Sequence, residues 1–388
     1  MASLEQKDIS VYITNQAAEG VVDANPAFKI IRGTGGVIQS SPTYVTSNEI
    51  VTDGQAAQQV QDRQESTFTR EFDVSKETVS LFGEVIHGVK VDNSQVASTA
   101  VAATALGFTM PTAMVTALSV GDWFALVGFA NPLLDKRYKV ATIPTGTTIT
   151  TTEAPVATES VGASVVMTSF KTASGITKTL RSIQNRVTDE SKADNTDFKT
   201  ILNCFASTGS VSIDKSGIVT GSIEFKVPKP LKGSAKIVGQ TDAAKDASPV
   251  VSAINNIGAF YENGVNSNCN IQTMNIEFTN NYEGDGGAAG CIDEQFGRGT
   301  IAVSGSVVAR TVKANSFLWK DKNLNGTRQS IAVEFKWSDG DWAIMEVTRA
   351  VITSHTFTDG DIVVSNSMDF AGDPDSVTGS TFQIFSSF

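Results

Sequence analysis

The chain is poor in the side chains on which metal and nucleophilic chemistry usually depend: 388 residues contain 2 His and 3 Cys. His87 and His355 sit in no metal-ligand spacing. No GxSxG context accompanies them, so no catalytic constellation is expected, and the chain reads as a non-enzyme without cofactor or metal. Cys204, Cys269 and Cys291 are odd in number and form no CxxC pair. That predicts free thiols from a reducing compartment and not a disulfide framework. Gly33-Thr34-Gly35-Gly36 and the Gly284 to Gly290 stretch lack the Lys-Ser/Thr ending of a phosphate loop. Asp339-Gly340-Asp341 and Asp359-Gly360-Asp361 lack the glutamate that closes a calcium loop, so both are expected to be hairpin turns. There is no basic cluster, and the net charge is -11, so phosphate backbones should be repelled. The N-terminus has no basic-then-apolar leader, and the run from Val96 to Phe108 is too short to span a bilayer. A soluble chain with no membrane partner is expected.

What is present is Thr, Ser, Val and Gly, with little Leu, the balance of an all-β chain with many turns. The clearest unit is Val211 to Val227. Val211 and Ile213, then Val219, Ile223, Phe225 and Val227, are apolar around Asp214-Lys215-Ser216-Gly217, which predicts a β-hairpin. The other face of its second strand carries Thr220, Ser222, Glu224 and Lys226. A degraded copy returns at Val363 to Phe370, tracking Ile218 to Phe225 with Val, Ser, an acid and Phe in register. One β unit is used twice.

Residues 1–27 read as a polar extended arm. A strand is expected over Phe28 to Gln39 and another over Ser66 to Val74, with a long polar connection, Thr46 to Gln64, between them. Loops of that length are functional or mobile, and spacing alone does not choose between a contact loop and a surface loop. Lys76 to Ile86 has Val79, Phe82 and Val85 at helical spacing. In the second half, Asn270 to Thr279 and Gly299 to Val308 read as strands and Val312 to Lys320 as a short helix. Ser330 to Trp337 and Trp342 to Thr348 read as a hairpin. Ser66 to Ile218 spans 152 residues and the matching Gly299 to Val363 spans 64, an excess of 88 in the first copy. Residues 89–176, with GDWFALVGF, RYKVATI and TTITTTEAP, would fit it as a small inserted β module. The expected division is an arm over 1–27, a first unit split over 28–88 and 177–240, the insert over 89–176, and a second unit over 241–388. Glu71, Asp73, Glu224, Glu277 and Asp369 fall on non-core faces, which makes them either ordinary solvated sheet or the lining of an acidic channel.

With these parts placed, the chain resembles the major tail tube proteins of long non-contractile-tailed bacteriophages, in the large variety whose tube fold is duplicated. The likeness rests on Arg32-Gly33-Thr34, on Ser47-Asn48-Glu49-Ile50 with Asp53, on Phe72-Asp73-Val74-Ser75 and its helix, on Ser207 to Phe225, and on the GDWF…GF…YKV insert. Val51 stands where relatives often carry a basic residue. The resemblance implies two tandem tube units, each a β-sandwich or barrel with short helices. It also implies a homotrimer closing a pseudo-hexameric ring, and rings stacked into a helical polymer with an acidic lumen. DNA would pass through without specific binding during genome ejection. Glu71, Asp73, Glu224, Glu277 and Asp369 would face the lumen. Asn48, Glu49, Ile50, Asp53, Gln58, Gln61 and Arg63, with the N-terminal arm, would make contacts between rings or subunits. Tail tip or baseplate, terminator and tape-measure proteins are the implied partners, in a virion tail assembled in the host cytoplasm. The alternative is a surface adhesin or binding module that uses the insert, which requires Trp123, Phe124 and Phe129 to be exposed, whereas at least Trp123 is expected to be core.

Overall fold

The computed structural model describes residues 9–16, 18, 21, 23–33, 39–46, 59–87, 95–162, 164–175, 180–188, 196–227, 236–267, 271–285, 295–310, 318–358 and 364–388. The first part of the chain forms β1 (Ile9–Asn15), β2 (Ala27–Ile30), β3 (Gln39–Thr46), β4 (Gln59–Asp73) and α1 (Lys76–His87). The next forms β5 (Val96–Ser98), β6 (Ala102–Ala103), β7 (Gly107–Thr109), α2 (Thr112–Thr116), β8 (Trp123–Val127), β9 (Arg137–Thr145), β10 (Thr148–Thr151) and β11 (Val165–Thr168). Then come β12 (Phe170–Ala173), β13 (Arg181–Thr188), β14 (Thr196–Asp214), β15 (Thr220–Val227) and β16 (Thr241–Asp242). The last part holds α3 (Ala253–Asn256), β17 (Ile257–Glu262), β18 (Val265–Asn266), β19 (Ile271–Thr279), β20 (Tyr282–Asp285), β21 (Gln295–Arg298) and β22 (Ala302–Arg310). It closes with α4 (Leu318–Leu324), β23 (Arg328–Lys336), β24 (Trp342–Thr358), β25 (Ser365–Gly372) and β26 (Phe382–Ser386). The protein is all-β with short helices.

The same pairing order is built twice. In the first copy β1 pairs β13, β13 pairs β14, β14 pairs β15, β15 pairs β4 and β4 pairs β3. In the second, β17 pairs β23, then β24, β25, β22 and β19 follow in the same relation. Even the irregularities recur. The register slips between Arg181 and Ile183 in one copy and between Gln329 and Ile331 in the other, and again between Ala206 and Thr208 and between Ile352 and Ser354. A bulge turns every later side chain, so two shared bulges fix the match residue by residue. Ile183 corresponds to Ile331, Thr208 to Ser354 and Phe225 to Phe370. In this match Ser66 of the first copy corresponds to Val303 of the second, and not to Gly299, a shift of four residues from the sequence reading.

The two copies share one sheet. β14 pairs β19 from Thr208↔Thr279 to Asp214↔Thr273, so β4, β15, β14, β19, β22 and β25 run side by side, all antiparallel. One face is core: Phe68, Phe72, Ile223, Phe225, Val211, Ile276, Phe278, Val307 and Phe370 are all buried. Phe225 is fully enclosed and stacks on Phe68 with ring centroids 6.1 Å apart. The insert is a separate seven-stranded sheet, β5-β11-β8-β9-β10-β7-β6, around its own core of Phe108, Phe124, Leu126 and Tyr138. β12, the exit strand that the sequence reading included in the module, instead pairs β26.

Residues 9–15 are not a free arm. β1 pairs with β13 from Ile9↔Val187 to Asn15↔Arg181 and also with β2. Its alternation Val11, Ile13 inward supplies the core, but the lock is Arg186. That guanidinium lies 3.5 Å from the centre of the Tyr12 ring and donates to both oxygens of Asp242 at 2.7 Å. The bonds from Arg186 hold the Asp242 carboxyl below its ordinary value. The pair's stabilisation is therefore complete above about pH 3.9 and is lost as pH falls through the lower folded value.

The long connection expected over Thr46 to Gln64 is in part strand: β3 reaches Thr46 and β4 begins at Gln59, and residues 47–58 lie outside the described residues. Arg186→Met is expected to speed amide exchange in Ile9–Asn15 while β14 stays protected, and to remove the acid-dependent component below pH 4. Phe225→Ala should lower unfolding free energy by about 3–5 kcal/mol in urea titration, the cost of deleting a fully buried phenyl ring.

Candidate assembly surfaces

Residues directly opposite one another in an antiparallel sheet point to the same side, so the face away from the core can be read as rows. One row is Glu71, Ser222, Ser210, Glu277, Ser304 and Ala371. The next is Asp73, Thr220, Ser212, Asn275, Ser306 and Asp369, and the one before is Thr69, Glu224, Thr208, Thr279 and Ala302. The two six-residue rows each span about 24 Å and the five-residue row about 19 Å at ordinary strand spacing. All five acids named from the sequence thus lie on one face of one sheet. Glu71, Glu277 and Asp369 are exposed, and Asp73 and Glu224 are half-buried.

The acids are set among hydroxyls and amides. Glu224 Oε1 accepts from Ser207 Oγ at 2.8 Å, Glu277 Oε1 from Asn275 Nδ2 at 2.8 Å and Asp369 Oδ2 from Ser354 Oγ at 2.5 Å. Glu71 and Glu277 are three strands apart, about 14 Å, beyond the reach of a single cation. Among the described residues no group of three or more acids, histidines or cysteines could hold a metal ion. The face carries separated carboxylates and short polar side chains. It offers repulsion to polyanions.

Strand edges are the second feature. Among the described residues β3 pairs only with β4, and β24 beyond Val351 pairs only with β25. The first seven residues of β4 also lie beyond its pairing with β15, which starts at Ser66↔Val227, so among the described residues that stretch pairs only with β3. Gln61 and Arg63, expected in a loop, are strand residues opposite Tyr44 and Thr43. Asn48, Glu49, Ile50, Asp53 and Gln58 lie outside the described residues, as does the Asp359-Gly360-Asp361 turn.

The motif residues have structural reasons. A Cβ on Gly33 would stand 2.1 Å from Arg70 Nε, so only glycine lets the buried Arg70 reach the Ile31 carbonyl, which it bonds at 3.0 Å. Arg32 donates to the Ser248 carbonyl at 2.7 Å. Ser75 Oγ accepts from the Thr78 amide at 3.4 Å and opens α1. Asp339 and Asp341 hold Lys76 across the turn made by Gly340 (φ +93), which confirms a hairpin turn there. His355 lies inside β24, its Nε2 at 3.2 Å from Asn366 Oδ1. Cys204 is a buried free thiol, its pKa pushed up by desolvation.

The insert presents none of the aromatics an adhesin would need. Trp123, Phe124 and Phe129 are 1%, 0% and 6% exposed. What sequence reasoning missed is the place of Trp123. It packs outside the insert's own core, against Tyr261, Trp342 and Phe385 of the second copy.

Because the acidic face is solvated, Glu71→Gln and Glu277→Gln are each expected to change unfolding free energy by less than about 0.5 kcal/mol. A loss of several kcal/mol in urea titration would instead place these positions in a core.

No helix in the described residues is long and apolar enough to cross a membrane, and no curated protein gives a significant match to the chain. A family model described as "Phage tail tube protein" matches residues 6–382. Nearly the whole chain is thus accounted for: it belongs to the phage tail tube protein family and is a structural component of the virion, one that assembles with itself and other tail proteins into the tail tube.

Proposed function

We propose that three chains close a pseudo-hexameric ring and that rings stack into a tube whose acidic lumen conducts DNA. The observation that carries this is the junction inside the chain. β14 accepts β19 along Thr208 to Asp214. Among the strand pairings of the described residues, the matching stretch of β24 pairs with β25, and the strand that matches β19, which is β3, pairs with β4. An edge and its complement on one molecule make a head-to-tail contact, and such contacts build rings when the rotation closes. Carrying the internal register across gives Ser41 opposite Ser354, Ser40 opposite His355 and Gln39 opposite Thr356 of the next chain. The six copies per ring implied by the resemblance then need three chains.

Closure assigns the two faces. The core face of the shared sheet is backed by the rest of each copy, so the solvated face is the one left to line a channel. Glu71, Asp73, Glu224, Glu277 and Asp369 then line it, and carboxylates release no counterions from phosphates, which keeps passing DNA from sticking. Asn48, Glu49, Ile50, Asp53, Gln58, Gln61 and Arg63, between or within β3 and β4 in the sequence, make the contact to the adjacent ring or subunit. A two-stranded hairpin is marginal alone, and packing on a neighbour supplies what it lacks. Tail tip, terminator and tape-measure proteins are the further partners, joined after synthesis in the host cytoplasm.

Pairing Gln39→Cys with Thr356→Cys is expected to give, on oxidation, cross-linked species that stop at three chains, with single variants giving none. A ladder that continues past three, or no cross-link in assembled material, would overturn the closed trimer. Wild-type tubes should not retain a short DNA duplex at physiological salt. Tubes carrying Glu71→Lys with Glu277→Lys should retain it, less so as salt rises.

A further inference from the structure

The insert leaves the chain after α1 and rejoins it at β12, so its covalent attachments are to the first copy. Its side-chain bonds run to the second. Trp123 Nε1 donates to Glu346 Oε2 at 3.0 Å, and Lys139 Nζ bonds Glu346 and, at 3.1 Å, Ser330 Oγ. Arg137 Nε lies 3.0 Å from Glu334 Oε1, an ionic contact without hydrogen-bond alignment. Thr152 Oγ1 donates to the Gly264 carbonyl at 3.2 Å. Among the described residues, every side-chain hydrogen bond or ion pair from residues 95–168 to another part of the chain ends on the second copy or on Ser169 and Lys171 at the exit. β12 continues the pattern by pairing β26.

The carboxylates that receive the insert are themselves out of water: Glu334 is 1% exposed and Glu346 0%. The residue match between copies shows why the insert settles here and not on the first copy. Glu334 corresponds to Arg186, and Glu346 to Thr200. Arg186 is already committed to Asp242 and to the Tyr12 ring. Arg137 and Lys139 lie two residues apart on β9 and reach toward one side. On the first copy they would meet an arginine and a hydroxyl where the second offers two carboxylates. Attraction at one face and repulsion at the other is how one partner is selected from two of similar shape.

We infer that the insert is a clamp across the tandem copies. Rooted in the first and held by buried ion pairs on the second, it fixes the angle at the β14·β19 junction. The consequence for assembly rests on the ring reading: the junction between chains must reproduce the angle that the clamp sets within each chain, so the clamp sets the ring's curvature. Nothing in this requires the insert to bind a receptor.

The test uses the full-length, unassembled chain carrying Arg137→Gln with Lys139→Gln, compared with the charge exchange Lys139→Glu with Glu346→Lys. Amide exchange in Ile271–Thr279 and Phe382–Ser386 is expected to be about tenfold faster in the uncharged variant, with β8 and β9 still protected inside the insert's own core. The charge exchange should bring the rate most of the way back. Unchanged exchange in Ile271–Thr279 would overturn the clamp. So would faster exchange that the charge exchange fails to restore, because that is general destabilisation. If the charge exchange does not fold, Glu346→Gln, which is isosteric and keeps an acceptor for Trp123, is expected to give a smaller acceleration confined to the same segments. This readout needs no ring, so it stands apart from whether the wild type forms tubes. In electron micrographs, the uncharged variant should give tubes of mixed diameter or open arcs. Tubes of uniform wild-type diameter would overturn the role in curvature.

Discussion

Everything in this molecule follows from the need to pair strand edges. A backbone N–H or C=O left without a partner away from water costs about as much as a lost hydrogen bond, and a long open edge invites a neighbour. The chain meets that need by repeating itself. The edge that β14 of the first copy would expose is filled by β19 of the second, and two units become one sheet. Among the described residues β3 then pairs only with β4, and β24 beyond Val351 only with β25. A structural protein that must polymerise has use for edges that a solitary protein would have to blunt.

The shared sheet also decides where chemistry is absent. Its core face is filled with Phe, Val, Ile and Met, and its other face carries short polar side chains and separated carboxylates. Among the described residues, its carboxylates do not converge on a point that could hold a metal ion. Its one strong physical property is its sign. The uneven treatment of the two copies lies elsewhere, on the faces of β13–β14 and β23–β24. One presents an arginine held by its own strand neighbours and the other two carboxylates roofed by the insert. Buried ion pairs contribute little net stability once desolvation is counted, but breaking one leaves a buried charge unpaired. They therefore specify which surfaces meet more than they strengthen the meeting.

Much of the fold was legible because period-two alternation carries both strand and face. The hairpin over Val211 to Val227 and its echo over Val363 to Phe370 gave the duplication. Alternation also put Glu71, Asp73, Glu224, Glu277 and Asp369 together on the solvated side, since they alternate with Phe68, Phe72, Ile223, Phe278 and Phe370. The helix after Phe72-Asp73-Val74-Ser75 was readable from the spacing of Val79, Phe82 and Val85. The misreadings fell on two strands. Gln59 to Gln64 is polar and is a strand through its hairpin mate, which is not a local signal. Ile9–Asn15 does carry period-two alternation in Val11 and Ile13, but it is short and lies in a segment that is otherwise polar, and what it pairs with is set by β13 and Arg186 far along the chain.

The sequence by itself determined the β class, the repeat, the inserted module and the sign of the exposed faces, because these depend on residues two apart or on totals along the chain. Only the tertiary structure decided that the two copies join through β14 and β19, and that the side chains of the insert bond to the copy it does not belong to. Those are pairings between residues tens to hundreds of positions apart, such as Trp123 with Glu346 or Arg186 with Tyr12. Local spacing carries no information about which of several similar strands will be the neighbour. That choice belongs to the register, the bulges and the charges that meet only once the chain has folded.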